Sequence, residues 1–158
     1  MRFTYLYMLL VIASIGIVSC GDDEPVIQEG EGPTIWDGPN LTFTLANGAD
    51  FRDTTSQDMI TPSVIISRSV QGGQIFNVAI EDMANSMISP AGTEWAVGRV
   101  ANLDSLTFAP FRTTVGSPQQ VVGQELVLHL VEDDIYIDIA FTSWSSGNNG
   151  FQYTRATE

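Results

Sequence analysis

The stretch GQELVLHLVEDDIYIDIAFTSW, residues 123–144, decides the fold class because apolar and polar side chains alternate along it on both sides of an acidic turn. A period of two places alternate side chains on opposite faces of a β-strand. We therefore predict two antiparallel strands joined at EDD, residues 132–134. The apolar face of this hairpin would carry Leu126, Leu128, Leu130, Ile135, Ile137, Ile139 and Phe141.

The two apolar sets constrain the register of the hairpin. The apolar residues of the two strands share one face only if directly opposed residues have numbers with an odd sum. A slip of one residue would expose the apolar set of one strand to water. With the tightest loop, Asp133–Asp134, this rule predicts Leu130 opposite Ile137. It also predicts that the single histidine, His129, lies opposite Asp138.

Shorter runs of the same period recur from residue 41 to the C terminus, and none shows the 3.6-residue apolar period over the length of a helix. LTFTL, residues 41–45, is one example, and FQYTR, residues 151–155, is another. We expect an all-β domain over residues 41–158. The number and length of the strands favour a β-sandwich, which could be a jelly roll, with a closed barrel as the alternative.

The N-terminal residues have the pattern of a signal peptide. Met1 and Arg2 precede sixteen uncharged, mostly apolar residues, a run shorter than the roughly 20 residues that span a bilayer. IVSC, residues 17–20, resembles the lipobox of bacterial lipoproteins. The resemblance implies a signal peptide over residues 1–19 and a lipid-modified Cys20 at the mature N terminus. Two or three acyl chains would make a stable membrane anchor.

Residues 20–40 read as a lipidated cysteine followed by a flexible acidic tether, because glycine, proline and acidic residues dominate them. The acids that follow Cys20 resemble the signal that sends some lipoproteins to the cell surface. We therefore expect an outer membrane lipoprotein that faces the cell exterior, with the periplasmic face as the alternative.

The composition excludes some partners. The chain has 19 acidic residues, six arginines and no lysine, for a formal net charge of −13. Such a chain repels nucleic acid and anionic lipid, so we predict no nucleic-acid partner and a membrane attachment that depends on the N-terminal lipid.

Three groups of residues are candidates for a functional site. His129 and Asp138 could form an acid–base pair, but no nucleophile motif accompanies them, so we predict no catalytic residue and interpret the pair as a cross-strand contact. Asp50, Asp53 and Asp58 lie in one short segment and could hold Ca²⁺ if they share a loop, although no cofactor is required. Aromatic and polar residues that could bind a ligand are Tyr136, His129, Asp138 and Trp144; the first three share the outward face by parity.

Residues 41–158 also resemble a β-rich module found in secreted and surface proteins of many bacteria. The segments that carry the likeness are TEWAVGRVANLDSLTFAPF, residues 93–111, and residues 121–158, with LHL, IYIDI, FTSW and a glycine-containing loop before YTR. The resemblance implies an extracytoplasmic location and no particular activity.

These observations predict a lipid-anchored, non-catalytic binding or adhesion module whose favoured ligand is an extracellular carbohydrate. One alternative is a polysaccharide hydrolase or lyase that uses His129 and Asp138. Another is a structural subunit of a surface complex, in which the domain docks a surface protein.

Overall fold

The structure, a computed structural model, describes residues 32–71 and 73–158. The predicted signal peptide, Cys20 and the first part of the predicted tether lie outside the described residues. Within the described ranges, no helix has the length and apolar character needed to cross a membrane.

Strands dominate the described part of the chain. They are β1 Thr34–Trp36, β2 Leu41–Leu45, β3 Asp58–Thr61, β4 Val64–Ser67, β5 Phe76–Asn77, β6 Thr93–Val97, β7 Glu125–Leu130, β8 Ile135–Trp144 and β9 Phe151–Arg155. One short α-helix, α1, covers Phe111–Val115, and 3₁₀ turns cover Thr54–Ser56, Val100–Ser105 and Pro118–Gln120. The prediction of an all-β domain is confirmed.

The strands form two sheets. The larger sheet has the order β2-β9-β8-β7-β6, in which neighbouring strands are antiparallel, and β1 adds to it in parallel beside the first part of β8. The smaller sheet has the order β3-β4-β5. Four consecutive strands, β6 to β9, are thus joined as a meander, and this order does not confirm a jelly roll.

The core lies between the two sheets. Side chains from the smaller sheet, such as Val64 and Ile66, belong to the same buried cluster as Trp95, Leu128 and Phe141 of the larger one. The rings of Trp95 and Phe111 meet edge to face at 4.9 Å between centroids, so α1 packs its first residue into this core. Apolar burial is the main stabilising contribution in a chain with one cysteine.

The hairpin β7–β8 has the predicted parity but not the predicted register. Leu128 lies opposite Ile137 and His129 opposite Tyr136, sums of 265, so the two apolar faces coincide as expected. The predicted pair of His129 with Asp138 is wrong by two residues, because the turn, residues 131–134, is centred between Glu132 and Asp133 and not between Asp133 and Asp134. Asp134 closes the turn with a φ of 49°, in the left-handed region.

The folded part of the chain begins earlier than residue 41. Thr34–Trp36, which the sequence analysis assigned to the tether, pairs with Ile135–Ile137 of β8. After β1, the backbone N–H of Gly38 donates to the carbonyl of Thr157 at 2.9 Å. A Cβ at Gly38 would lie 2.3 Å from the carbonyl oxygen of Glu158, so this close approach of two backbone segments requires glycine.

Candidate functional site

The candidate site lies on the outer face of the larger sheet, the face turned away from the smaller sheet. By register, Glu94, His129 and Tyr136 form one row across β6, β7 and β8, and Ala96, Val127 and Asp138 form the next. Ala96 and Val127 are fully buried although they point away from the core. The segment that follows β6 crosses this face and is held there by a bond from the Val100 N–H to Asp138 Oδ1 at 2.8 Å.

His129 is enclosed by aromatic and acidic side chains. Its ring stacks on that of Tyr136 at 4.2 Å between centroids, and Phe108 meets His129 edge-on at 5.7 Å. Glu94 Oε2 lies 3.5 Å from Nδ1, and Asp134 Oδ1 lies 3.2 Å from Nε2. Both ring nitrogens therefore face carboxylates, and only 12 % of the imidazole is exposed.

The same surroundings act on Tyr136. Burial, followed by the neighbouring Asp134 and then Glu94, raises the pKa of the Tyr136 hydroxyl above its ordinary value. The hydroxyl therefore remains protonated at neutral pH and can donate a hydrogen bond. Histidine and tyrosine together form a polar, aromatic surface beside Asp138.

The structure does not form an acid–base pair from His129 and Asp138. Asp138 lies opposite Val127, and its carboxylate bonds the Val100 N–H and faces Arg99 instead. The carboxylates near the imidazole belong to Glu94 and Asp134. The geometry thus lacks the His129–Asp138 contact on which the catalytic interpretation depended.

A cavity of about 240 Å³ opens next to Asp138, between β1 and the segment that starts at Gly98. We call it the Trp36 pocket. Its aromatic and charged lining residues are Trp36, Asp37, Arg99, Glu125 and Asp138, and Asn40 and Thr154 add an amide and a hydroxyl. The indole of Trp36 is half-buried and also packs against the core cluster.

Arg99 organises the charges of the pocket. Its guanidinium lies 3.6 Å from Glu125 Oε1 and 4.0 Å from Asp138 Oδ2. Both distances are longer than a hydrogen bond, so the arginine and the two carboxylates keep free donors and acceptors for a third group. Three acids and one arginine give the lining a formal charge of 1 − 3 = −2.

Trp144, a predicted binding residue, lies elsewhere. A bulge between Phe141 and Ser143 shifts the register of β8 against β9, and Trp144 then pairs with Phe151 on the core side. Its ring packs on the guanidinium of Arg68, 4.1 Å from the ring centroid to Cζ. Trp144 is half-buried and lines a separate surface cleft with Asn47.

Arg68 is buried without a carboxylate partner among the described residues. Its Nη1 donates to the carbonyls of Ser145 and Gly150 at 3.1 and 3.3 Å, while Nε has no partner in this part of the chain. Burial lowers the pKa of Arg68 to about 10. The arginine thus fixes the loop that follows β8 to the smaller sheet.

The three aspartates proposed for Ca²⁺ do not share a loop. Asp50 faces Arg52 at 3.6 Å, and Asp53 caps the 3₁₀ turn that follows it, where a hydrogen bond from the Thr55 N–H lowers the pKa of Asp53. Asp58 is buried in β3 and bonded to Arg155. Among the described residues, no three His, Cys, Asp or Glu side chains form a metal-binding group.

Asp58 instead joins the two sheets through a buried cluster. Its two oxygens accept from Arg155 Nε and Nη2 at 2.7 and 2.9 Å, and the Tyr153 hydroxyl donates to it at 2.6 Å. Burial, and then the adjacent Asp58, raises the pKa of Tyr153 well above its ordinary value. Although burial alone lowers the pKa of Arg155, the bonds to Asp58 raise it overall. The arginine therefore stays charged in this cluster.

The sequence analysis found only Asp138 among the residues of the Trp36 pocket. The parity of β7 and β8 also places Glu125 on the outward face, so the same rule could have found it. Trp36 is a tryptophan in a polar, glycine-rich segment, and this contrast was a signal that could have found it. Arg99 has no comparable signal, because its position depends on the path of a segment outside the strands.

Comparisons with known proteins found no match to this chain. No protein-family model matches the chain, and searches of curated proteins and of solved structures found no match. The likeness to a module of bacterial surface proteins thus stays a prediction.

Proposed function

We propose that the protein is a lipid-anchored, extracytoplasmic binding module that holds a neutral carbohydrate in the Trp36 pocket without transforming it. The observation that carries the proposal is the pocket lining, in which Trp36 lies beside one arginine and three carboxylates with unused hydrogen-bonding capacity. Sugar rings offer an apolar face to an aromatic ring and vicinal hydroxyls to planar polar side chains.

The charge of the pocket selects the class of carbohydrate. A lining with a formal charge of −2, in a chain with a net charge of −13, repels uronic acids and sulfated sugars. Carboxylates accept hydrogen bonds from neutral hydroxyl groups, and Arg99 can donate to the oxygen of an adjacent hydroxyl. Neutral hexose polymers are therefore the ligands that we propose.

Binding without catalysis accords with the position of the titratable groups. His129 contacts Glu94 and Asp134, and Asp138 is bonded to the backbone and faces Arg99. These side chains serve better to orient a ligand than to transfer protons.

A glycan array followed by titration calorimetry tests the proposal on the full-length protein in detergent. We expect retention on neutral glycans and a loss of affinity of about tenfold or more, equal to about 1.4 kcal/mol, in Trp36→Ala and Asp138→Asn. Asparagine can still accept from the Val100 N–H, so Asp138→Asn should stay folded. Arg99→Ala, which removes the only arginine of the pocket lining, should lose affinity in the same way, and Arg52→Ala, at an exposed arginine outside the pocket, is its matched control.

Absence of binding to any neutral glycan, or equal affinities in Trp36→Ala and Arg52→Ala, would exclude this ligand or this pocket.

The lipid anchor at Cys20 needs its own experiment. Labelling with a fatty-acid analogue and mass spectra of the mature N terminus, for the wild type and Cys20→Ala, should give label and a chain that starts at Cys20 only in the wild type. Protease treatment of intact cells then distinguishes the exterior from the periplasm.

A further inference from the structure

A long loop carries an unusual group of exposed apolar side chains. Residues 78–92, which we call the Ile–Met loop, connect β5 to β6 without a helix or strand of their own. Ile80, Met83, Met87 and Ile88 are 64, 73, 77 and 55 % exposed. Isolated exposed apolar residues are common on protein surfaces, but four in one loop form a patch that indicates contact with another apolar surface.

Polar bonds inside the loop hold it in shape. The Glu81 carboxylate accepts from the backbone N–H groups of Asn77 and Ala91 at 2.8 and 2.9 Å and bonds the Ser89 hydroxyl. Ser89 Oγ also accepts from the Asn85 N–H. Glu81 directly follows one exposed isoleucine and Ser89 the other, so their bond fixes the spacing of the two chain segments that carry Ile80 and Ile88. Polar bonds, and not burial of its apolar residues, therefore hold the loop in shape.

The loop lies at the end of the domain where the described chain begins. The Val131 N–H, at the start of the β7–β8 turn, donates to the carbonyl of Gly92 at 3.1 Å. At the other end of this turn, the carbonyl of Asp134 accepts from the Thr34 N–H at 3.0 Å. The start of β1 and the end of the Ile–Met loop thus contact one four-residue turn.

We propose that the Ile–Met loop contacts the lipid bilayer in which Cys20 is anchored. This inference rests on the lipid anchor of the proposed function. Eleven residues separate Cys20 from Gly32, so even a fully extended chain cannot place the start of the domain more than about 40 Å from the lipidated residue. This short connection joins the domain at the end that carries the patch and keeps that end within reach of the membrane.

The charges near the patch select the type of bilayer. The Ile–Met loop contains Glu81 and Asp82 but no basic residue, and the neighbouring turn contributes Glu132 and Asp133. An anionic surface would repel these residues, whereas a zwitterionic one would not. Apolar contact with zwitterionic lipid is therefore the interaction that we infer, and it weakens as anionic lipid is added.

A fluorophore on a single thiol tests the contact in the full-length, lipidated protein. Cys20 is consumed by the lipid, so Met87→Cys gives one free thiol for an environment-sensitive dye. Val122→Cys is the matched control, because Val122 is also exposed, at 44 %, but is bridged to Phe141, six residues along β8 from the turn end. Those six residues span about 20 Å of strand.

In vesicles of phosphatidylcholine and phosphatidylethanolamine, we expect a blue shift and quenching by nitroxide-labelled lipid at position 87, several-fold stronger than at position 122. Equal, water-like signals at both positions in the anchored protein would overturn the contact and leave the anchor intact. A blue shift at position 87 that appears without vesicles and grows with protein concentration would mean that a second copy covers the patch.

Two further measurements separate the possible failures. Dye labelling of the wild type would reveal a free Cys20 thiol, so the anchor and this inference would fail together. Hydrogen exchange on vesicles should show slower exchange over residues 78–92 in the wild type than in Met83→Ser/Met87→Ser. Both serines replace exposed side chains without touching the Glu81 bonds, so loss of the fold would not confuse the result. Equal exchange in the two proteins would contradict the proposal.

Discussion

His129 and Tyr136 lie directly opposite each other on β7 and β8, and their rings stack with planes 4° apart. Cross-strand aromatic pairs of this kind stabilise a particular register. The turn that joins the strands supports the same register, because Asp134 closes it in the left-handed region while its carboxylate approaches the imidazole. The stack thus links the position of the turn to the surface beside the Trp36 pocket.

Replacement of His129 should separate stacking from charge. His129→Ala loses the stack and both carboxylate contacts, so we expect the free energy of unfolding in urea to fall by about 1–2 kcal/mol. His129→Phe keeps a ring over Tyr136 and should lose about 0.5–1 kcal/mol, because the lost contacts involve half-exposed acids. Equal destabilisation of the two variants would show that the carboxylates, and not the stack, hold the histidine.

The hairpin shows how far the sequence predicts structure. Side-chain parity alone predicted which residues of β7 and β8 face the core, since an error of one residue would expose the apolar set of one strand, three or four side chains. The register could still shift in steps of two without changing either face. The centre of the turn, between Glu132 and Asp133, and the His129–Tyr136 stack decide between these registers, and neither is encoded in the apolar pattern.

The Trp36 pocket could not be predicted because it depends on contacts between distant segments. β1 is a three-residue strand in a glycine- and proline-rich stretch, and it pairs with residues about a hundred positions later. Arg99 reaches the pocket because Gly98 and Val100 bond the backbone of Glu125 and the side chain of Asp138. The composition of a short segment does not predict with which distant segment it pairs.

The buried pair of Asp58 and Arg155 should be sensitive to loss of one partner. Both residues are about 5–6 % exposed. Asp58→Asn leaves the guanidinium buried without a counter-charge, so we expect a loss of about 3–5 kcal/mol in the free energy of unfolding. Asp58→Leu/Arg155→Met removes both charges and should be less destabilising than Asp58→Asn. A double variant less stable than Asp58→Asn would contradict this expectation. It would show that the Asp58–Arg155 ion pair itself stabilises the fold by more than the cost of one unpaired buried charge.

Asn149 should be essential to the stability of the loop that follows β8, at the other end of that strand from the β7–β8 turn. Its fully buried amide donates to the carbonyls of Ala49 and Arg68 and accepts from the Gly48 N–H. Asn149→Ala removes this donor from the carbonyls of Ala49 and Arg68, while the Gly48 N–H keeps Asn148 Oδ1 as an acceptor, so we expect a loss of about 2–4 kcal/mol in thermal or urea unfolding. Asn148→Ala is the control, because Asn148 is only half-buried and should cost about 1 kcal/mol or less. Similar losses in both variants would contradict this role.

Tyr153 should make the protein less stable in alkali. Burial, with the Asp58 carboxylate beside it, raises the pKa of this hydroxyl well above 10.0, so the folded protein keeps a proton that the unfolded chain releases near pH 10. The free energy that this difference contributes is fully present below pH 10 and is lost as the pH rises towards the folded pKa, by about 1.4 kcal/mol per pH unit. Arg68, whose pKa burial lowers to about 10, has the opposite effect over the same range.

A comparison of the wild type with Tyr153→Phe isolates this contribution, since Arg68 and Tyr136 are present in both proteins. At neutral pH we expect the variant to be less stable by about 1–2 kcal/mol, because it lacks the hydrogen bond to Asp58. In urea unfolding between pH 7 and 11, the difference between the two free energies should stay constant up to about pH 9. It should then shrink above pH 10, as the wild type alone loses the contribution of the Tyr153 proton. Curves that remain parallel to pH 11 would show that Tyr153 ionises alike in the folded and unfolded states.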